Sequence, residues 1–537
     1  MTQGAEAPTR DGDASRSVRH SVRAHTLWIG VVATAASAAV FLVHQLLAWP
    51  PHEDETLALF IGRDSLGGVV AHVTRDRGGA PLHFLLAWAV TRLDLGLGGL
   101  RMVSALFALS SLPLVTLLAV RLAGRRAALI ATVLVAASWL FLFHGFFGRM
   151  YSVFLFLSLA SFLALLHALA KGGRTWVPWG AASLLCVAAH PYGALVLASQ
   201  GVYVLLARRD RLRGASSAFA TVLVLGIPFW LTDLVLAGRF DVGVGAAGGG
   251  EKLGGPQAVA IYLWRTAGDF SAGWWPVLLV VLLLVGLGLA SVGRDARLLC
   301  LSVVAVPATA FLVARLGSST SPETRHLIFV LPFFATLAGA GITRATRRVP
   351  VLAVLLVAGL LVAEVGWAWH RTPALFEWEP AARRAARAQA ESYLASTSRP
   401  DDLLFGYDPL YIGAWERNDA FPRTVVPRAD GRLALRRLER QPAPLGHGVW
   451  ILDASDESNP RPRFEIEQAD PGPVGVFVTR AFGPFLVIRT TKPVVTPSRY
   501  LALAARAMLL GRSLGIVDAD VNLQTVERAE RLQRARS

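Results

Sequence analysis

Long apolar runs set the strongest limit on what this chain can fold into. They recur from residue 26 to residue 369, each near the length of a transmembrane helix and separated by short polar connections. With 54% apolar residues and a mean hydropathy of +0.48, the chain is too apolar for an ordinary soluble enzyme. The sequence therefore predicts an α-helical polytopic membrane protein of the cell membrane. We expect about eleven spans, which start near Thr26, Met102, Ala127, Ser152, Trp176, Ala194, Ala218, Pro276, Leu298, Leu327 and Val351.

The basic residues indicate how these spans are oriented. The chain carries a net charge of +16, but it lacks a basic patch with interleaved aromatic residues, and we predict no nucleic-acid partner. The arginines instead cluster on alternate connections between apolar runs, and the positive-inside rule assigns those connections to the cytoplasm. An odd number of spans then separates a cytoplasmic N-terminus from an extracytoplasmic C-terminus. The predicted parts are a cytoplasmic tail over residues 1–25, a membrane domain over 26–369 with a first outer loop over 50–101, and an extracytoplasmic domain over 370–537.

Two outer connections have unusual compositions. The apolar piece from Pro81 to Val90 is too short to cross the bilayer comfortably. We expect a juxtamembrane or re-entrant helix there, because a full span would put basic clusters on both sides of the membrane. If this piece does cross, the span count rises by one. A Gly-rich connection over residues 242–255 belongs to the outer face in the same scheme.

The region after residue 370 differs in character from the rest. Ala381 to Ser396 has the composition of a helix with exposed arginines, whereas Asp402–Phe405, Val449–Leu452 and Val474–Ile488 are rich in β-forming residues. Gly483-Pro484 divides the last of these runs and predicts a hairpin. The sequence therefore predicts a soluble α/β domain in this region.

Three consecutive carboxylates, Glu53, Asp54 and Glu55, follow the first apolar run. Carboxylates held this close to hydrocarbon are costly, so their presence favours a chemical role. The alternative is a solvated acidic loop. We expect Glu53 to be the solvated member of the run.

Other polar residues gather on the outer connections. Carboxylates can act as general bases, and arginine and histidine can hold an anionic phosphate. Taken singly, His190 can be a hydrogen-bonding residue at a helix end, and Arg149 can extend along the membrane surface with its charge in water. The residues in question are His144, Arg149, Tyr151, His190, Tyr192, Glu323, Arg325 and His326.

We predict no cofactor. The chain has no Walker A loop, no dinucleotide fingerprint and no nucleophile elbow. A divalent metal bound by His52, Asp54, His190 and His326 has no support from ligand spacing.

Taken in order, these features resemble the GT-C glycosyltransferases, and most of all the group that contains protein O-mannosyltransferases and bacterial aminoarabinose transferases. The residues that carry the resemblance are Asp54-Glu55, Ala80-Pro81-Leu82-His83-Phe84, Arg101 to Gly124 with Arg125-Arg126, Gly148-Arg149-Met150-Tyr151, His190-Pro191-Tyr192 and Arg325-His326. Ala80, His83-Phe84, His326 and Leu57-Ala58 depart from the residues common in relatives. These departures bear on the sugar and the acceptor more than on the reaction.

The resemblance implies a membrane glycosyltransferase. Such an enzyme transfers a mannose-like or pentose-like sugar, with inversion, from a polyprenyl-phosphate carrier in the membrane lipid to a protein, glycan or lipid acceptor outside the membrane. Asp54, paired with Glu55, is then the expected catalytic base. Arg325 is the expected partner of the departing phosphate, with Arg149 and Arg77 as alternatives. Further residues expected to bind the substrate or the lipid phosphate are His326, Tyr151, His83 and His190.

Two other functions fit a polytopic chain of this kind. A polyprenyl-linked glycan flippase or transporter is expected to show inverted repeats or ionisable residues deep in its spans. Glu364 is about the only carboxylate embedded late in an apolar run. A non-catalytic envelope assembly protein needs neither the acidic pair nor the outward-facing arginines.

Overall fold

The computed structural model describes residues 11–240, 256–314, 323–377, 379–428, 430–456, 459–462 and 472–535. The predicted Gly-rich connection at 242–255 lies outside these ranges, as do the first ten residues of the predicted tail.

The described chain is mainly helical as far as residue 371. A π-helical segment, His72–Arg77, and several short 3-10 turns, including Thr324–Leu327, connect the longer helices. The α-helices are α1 (Asp11–Ala48), α2 (Glu53–Gly62), α3 (Leu66–Ala71), α4 (Pro81–Arg92), α5 (Gly96–Ala123), α6 (Arg125–Ala137), α7 (Trp139–Phe146), α8 (Tyr151–Lys171), α9 (Trp176–Ala189), α10 (Gly193–Ala207), α11 (Leu212–Leu225), α12 (Ile227–Phe240), α13 (Pro256–Phe270), α14 (Trp275–Ser291), α15 (Arg294–Ala314), α16 (Leu331–Ala345) and α17 (Pro350–Arg371).

Every predicted apolar run forms helix in this structure. Five helices, α1, α5, α8, α15 and α17, contain segments long and apolar enough to cross a membrane on their own. Three bent pairs, α6 with α7, α11 with α12 and α13 with α14, meet the same test jointly and raise the number to eight. The remaining runs form the shorter helices α9, α10 and α16, of 14, 15 and 15 residues. The structure therefore supports a polytopic membrane fold, and the count of about eleven spans stays a prediction.

The bends in the paired helices follow from their local sequence. Between α6 and α7 the direction changes by 59°, and the Ser138 hydroxyl caps the new helix by accepting a hydrogen bond from the Phe141 backbone nitrogen at 3.4 Å. Pro228 and Pro276 lie in the first turns of α12 and α14, after bends of 58° and 88°. Proline is tolerated there because the first backbone N–H groups of a helix have no partner within it.

Glycines allow a very close contact between α14 and α16. A Cβ atom on Gly288 would lie 1.9 Å from the Leu337 carbonyl oxygen, and one on Gly341 would lie 1.9 Å from the Leu284 carbonyl oxygen. Neither position has room for a side chain, so the two backbones touch. Small residues permit this approach in membranes, where van der Waals packing drives helix association.

After α17 the chain forms a small mixed sheet flanked by helices. The main sheet has the order β2-β1-β3-β8-β7-β6; β1 is parallel to β2 and β3, whereas β8 is antiparallel to β3 and β7. The predicted C-terminal sheet is thus present, and Gly483-Pro484 forms the predicted turn between β7 and β8. The strands are β1 (Leu403–Phe405), β2 (Thr424–Val426), β3 (Gly448–Asp453), β4 (Ser455–Asp456), β5 (Asn459–Pro462), β6 (Gly472–Val474), β7 (Phe477–Phe482) and β8 (Phe485–Thr490), and the helices are α18 (Ala381–Thr397), α19 (Leu410–Arg417), α20 (Gly431–Glu439), α21 (Pro497–Ser513) and α22 (Val517–Arg534).

Alternation along the central strand β3 separates two hydrophobic layers. Trp450 and Leu452 pack with α20, α21 and α22 on one face. Val449 and Ile451 pack with α18 and α19 on the other face. Successive side chains of a strand point to opposite faces, so one strand contributes to both layers.

The α18–α19 face rests on α2, in the predicted first outer loop. The Phe60 ring of α2 lies 6.2 Å from Tyr411 and 5.7 Å from Trp415, between ring centres. The Arg63 guanidinium lies 3.8 Å from the centre of the Trp415 ring, which is a cation–π contact. Ile412 packs among the buried residues of α2 and α4. The C-terminal region is therefore docked on the same short helix that carries the acidic run.

Candidate active site

Helix α2 begins at the three carboxylates. His52 caps its N-terminus: His52 Nδ1 accepts a hydrogen bond from the Asp54 backbone nitrogen at 3.1 Å, and the Glu55 carboxylate accepts one from the His52 backbone nitrogen at 3.2 Å. This reciprocal arrangement is a capping box, and the helix dipole also stabilises carboxylates in the first turn. Successive side chains project about 100° apart around the axis, so Glu53, Asp54 and Glu55 reach different partners.

Glu55 points into the protein and is fully buried. Arg101 donates to it from Nε at 2.8 Å and from Nη2 at 2.6 Å, and the Gly148 backbone nitrogen donates at 2.8 Å. Arg101 also donates to the carbonyl oxygens of Trp49 and Pro50, each at 2.7 Å. Together with the His52 backbone N–H group, these donors give Glu55 four hydrogen bonds. A carboxylate has about as many lone pairs. These contacts favour a positioning role for Glu55, although the sequence had predicted a catalytic one.

Glu53 is not a solvated neighbour, and that expectation is corrected. Its carboxylate accepts a hydrogen bond from Arg428 Nε at 3.1 Å, and its side chain is only 30% exposed. Arg428 follows β2 in the C-terminal region. The ion pair therefore ties the acidic run to the docked domain.

Asp54 faces neither Arg101 nor Arg428 but Arg149. Its side chain is 25% exposed, and its Oδ1 lies 3.2 Å from Nη1 of Arg149. Burial by itself raises the pKa of the Asp54 carboxyl, but the nearby positive charges, Arg149 first among them, together lower that pKa below its usual range. Arg325 and Arg77 act in the same direction as Arg149. Asp54 is therefore ionised at neutral pH.

Arg149 lies in the turn before α8. The Ser104 hydroxyl donates to its carbonyl oxygen at 3.3 Å, which holds the turn against α5. The Arg149 Nε is buried and has no hydrogen-bond acceptor among the described residues. Buried donors are normally paired, so an unpaired N–H group here marks a candidate contact for an anionic ligand.

A buried carboxylate holds the turn that carries Arg325. Asp269 of α13 accepts the Thr324 hydroxyl at 2.7 Å. It also pairs with the guanidinium of Arg371, at the end of α17, through contacts of 2.8 and 3.1 Å. Asp269 thus ties α13 and α17 to the residue next to Arg325.

Arg325 contacts Tyr151, the first residue of α8. Its Nε lies 2.6 Å from the Glu323 carboxylate, and its guanidinium carbon lies 5.4 Å from the centre of the Tyr151 ring. Tyr151 is two residues from Arg149. Arg149 and Arg325 therefore reach the same part of the molecule from two different turns of the chain.

Five rings form a cluster next to these arginines, which we call the ring cluster: His144, Tyr151, His190, Tyr192 and His326. The Tyr151 ring centre lies 4.7 Å from that of His144, 5.7 Å from that of His190 and 6.0 Å from that of His326. His326 lies 5.3 Å from His190 and 5.1 Å from Tyr192. Residues from three separate places in the sequence, around the α7–α8 turn, around the α9–α10 turn and before α16, thus meet in space.

His190 and His326 are neutral at neutral pH. Burial lowers the pKa of His190 to about 3 and that of His326 well below its usual value, and the charge of Arg325 acts in the same direction. His190 Nδ1 accepts a hydrogen bond from the Tyr192 backbone nitrogen at 3.0 Å, so the proton of the neutral ring is on Nε2. These rings can donate hydrogen bonds to a sugar or a phosphate, but they bring no positive charge to it.

The other two predicted residues lie near the Asp54–Arg149 pair. His83 is buried in the first turn of α4, and burial, followed by the charge of Arg149, lowers its pKa to about 3. Arg77 ends the π-helical segment, and its charge contributes to the lowered pKa of Asp54. Among the described residues, no group of three or more His, Cys, Asp or Glu side chains is arranged to hold a metal ion.

The sequence analysis assigned no role to four residues that hold the site together. Arg101, Asp269, Arg371 and Arg428 each pair with a carboxylate or an arginine far away in the chain. A charge inside an apolar run was the available signal for Arg101 and Asp269. Its partner could not be read from the sequence.

No protein-family model matches the chain, and no curated protein matches its sequence significantly. Solved structures do share its architecture. The structure of ArnT from Cupriavidus metallidurans bound to undecaprenyl phosphate matches with a TM-score of 0.53 and 15% identity, over 86% of this chain and 97% of that one. ArnT in the apo state matches with a TM-score of 0.52 and 17% identity, over 87% of this chain and 98% of that one.

A third structure, the arabinofuranosyltransferase AftD from Mycobacteria, matches with a TM-score of 0.51 and 16% identity. The match covers 86% of this chain but only 40% of AftD. At such identities the similarity concerns the fold. The structural similarity confirms, for the fold, the resemblance seen in the sequence motifs: this chain has the GT-C fold of ArnT and AftD.

Proposed function

We propose that this chain is an integral-membrane glycosyltransferase that moves a sugar from a polyprenyl-phosphate carrier to an acceptor outside the cytoplasmic membrane, with inversion. The observation that carries the proposal is the Asp54–Arg149 ion pair, with Arg325 close enough to act on the same carboxylate. Sugar transfer from a lipid phosphate needs a base for the acceptor and cations for the leaving group. The solved complex of ArnT with undecaprenyl phosphate supports this class of carrier.

Asp54 is the proposed base. The acceptor hydroxyl oxygen attacks the anomeric carbon of the sugar, and its proton passes to the Asp54 carboxylate. The bond between that carbon and the phosphate oxygen breaks, and its electron pair leaves with the lipid phosphate. Attack from the face opposite the phosphate inverts the anomeric centre.

Arg149 and Arg325 are the proposed partners of the phosphate. Arg149 has an unused Nε donor and shares a second nitrogen with Asp54. A donor phosphate that engages Arg149 weakens its attraction for Asp54, which raises the pKa of Asp54 and makes it a stronger base. In this scheme the base gains strength when the donor lipid is in place.

The neighbouring residues have supporting roles in this proposal. Glu55 and Arg101 hold the first turn of α2 against α5 and so set the direction of Asp54. The ring cluster, with His83, lines the site for a mannose-like or pentose-like sugar, with neutral histidines as hydrogen-bond donors. The acceptor is a protein or a glycan or lipid of the cell envelope.

The test is Asp54→Asn in the full-length protein reconstituted in membranes, with a radiolabelled polyprenyl-phosphate sugar and envelope extract as acceptor. The amide keeps the size of the side chain but removes the base. We expect transfer to fall about a hundredfold to ten-thousandfold while insertion and folding survive.

Asp94→Asn is the matched control, since Asp94 is an exposed carboxylate of the same outer loop. It should transfer sugar normally. Normal transfer by a correctly inserted Asp54→Asn protein excludes Asp54 as the base. If the wild-type protein carries labelled lipid across the membrane without transferring its sugar, the chain is a flippase and not a transferase.

A further inference from the structure

A cleft separates α20 of the C-terminal region from the first outer loop, and we call it the seam cleft. Tyr407 and apolar residues such as Ile61 and Leu433 form part of its wall. Its charged and titratable lining consists of His72, Asp76, Arg77, Arg436, Arg437 and Arg440.

The lining of the seam cleft is strongly cationic. Four arginines face a single carboxylate, Asp76, which is already engaged by Arg440 at 3.2 Å. His72 lies 3.8 Å from Asp76 and 3.8 Å from Asp64. Burial, followed by the charge of Arg437, lowers the pKa of His72, so the ring adds little positive charge of its own at neutral pH. Within the cleft lining the arginines therefore outnumber the carboxylates by four to one.

Arg437 supplies a second indication of a ligand. Its Nε is buried and has no hydrogen-bond acceptor within the described parts of the chain. An unpaired buried donor on a charged group is costly, and an anion in the cleft would satisfy it.

We propose that the seam cleft binds a phosphate group of the acceptor and so anchors the acceptor beside Asp54; the assignment to an acceptor rests on the transferase function proposed above. Arginine forks match the oxygens of a phosphate, and several guanidinium groups suit a multiply charged anion better than a single carboxylate. In this proposal the phosphate is an anchor, and a hydroxyl group elsewhere on the acceptor receives the sugar.

The position of the cleft favours the acceptor over the lipid donor. The candidate donor ligands, Arg149 and Arg325, lie at the ends of membrane helices, whereas α20 belongs to the docked C-terminal region. Arg77 connects the two places, since it lines the cleft and its charge also acts on Asp54. An acceptor held in the cleft would therefore approach the base from the side of the C-terminal region.

The test uses inorganic pyrophosphate as the probe and calorimetry on the full-length protein in phosphatidylcholine nanodiscs. The variant Arg436→Gln/Arg437→Gln removes two cleft charges. Arg432→Gln/Arg499→Gln removes two exposed charges outside the cleft and is the matched control. We expect the dissociation constant of the probe to rise about tenfold or more in the cleft variant, as for the loss of charge-assisted hydrogen bonds, and to stay near the wild-type value in the control.

Three results would overturn the proposal. Equal weakening in both variants would mean general electrostatic attraction, and no binding by the wild-type protein would mean no site. Loss of probe binding when phosphatidylglycerol replaces part of the phosphatidylcholine would assign the cleft to a lipid headgroup.

Two further measurements separate this proposal from the transferase function. Asp54→Asn should bind the probe like the wild-type protein, so anion binding can be judged even if no sugar transfer is found. In the transfer assay with the wild-type protein, pyrophosphate should compete with the acceptor and not with the lipid donor. This competition experiment needs no variant. If pyrophosphate competes with the lipid donor instead, the phosphate site lies at Arg149 and Arg325.

Discussion

Replacing Glu55 by glutamine should lower the stability of the protein as well as its activity. The substitution keeps the shape of the side chain but removes the charge that faces Arg101, at 2.6 and 2.8 Å, in a fully buried position. Breaking a buried ion pair from one side costs about 3–5 kcal/mol, because the remaining charge is left without compensation. Folded proteins are stable by about 5–15 kcal/mol, so the loss is a large fraction of the total.

The losses of stability caused by replacing Glu55 and by replacing Arg101 should not be additive. Arg101→Met leaves Glu55 charged and buried, and we expect a similar loss. In the double variant Glu55→Gln/Arg101→Met neither charge remains. Its destabilisation should therefore fall short of the sum of the two single changes by about 0.5–3 kcal/mol, the usual coupling of residues in one network.

The assay is denaturant unfolding in detergent micelles, followed by the fluorescence of the 15 tryptophans, alongside the transfer assay. Asp54→Asn is the comparison: its carboxylate has one ion pair, at 3.2 Å, and is partly exposed, so it should lose activity with a smaller loss of stability than Glu55→Gln. Wild-type unfolding of Glu55→Gln together with a collapse of turnover would refute the positioning role and make Glu55 a catalytic residue. Strict additivity in the double variant would show that the pair contributes no joint stabilisation.

Three other outcomes are expected. Arg325→Ala should lose about 2–4 kcal/mol of transition-state stabilisation in donor kinetics, because a leaving phosphate near hydrocarbon needs a cation; unchanged kinetics would move that role to Arg149 or Arg77. Gly341→Ala should destabilise the membrane domain by about 1–3 kcal/mol, since its Cβ would meet the Leu284 carbonyl oxygen, whereas Gly286→Ala on α14 enters open space and should unfold like the wild-type protein. Alkaline phosphatase fused after Gly446 should be active, because the predicted topology puts the C-terminal region outside; an inactive, stable fusion would reverse the orientation.

The sequence by itself determined the class of the molecule and the residues worth testing. Run length and apolarity are local properties, so they predicted helices at every apolar run. The alternation of the strands and the Gly483-Pro484 turn are local too, and the C-terminal sheet followed from them. Asp54, Arg149 and Arg325 were found because each is a charge placed at the end of an apolar run, where it is costly to keep.

Only the tertiary structure decided which carboxylate does what. Three adjacent residues of α2 face three directions: Glu55 toward Arg101, 46 residues away, Glu53 toward Arg428, 375 residues away, and Asp54 toward Arg149. Asp269 and Arg371, 102 residues apart, likewise meet only because α13 and α17 converge. Such pairs depend on how helices pack and on where the C-terminal region docks. Neither is encoded in the spacing of neighbouring residues, because packing arises from the shape and volume of the whole buried surface.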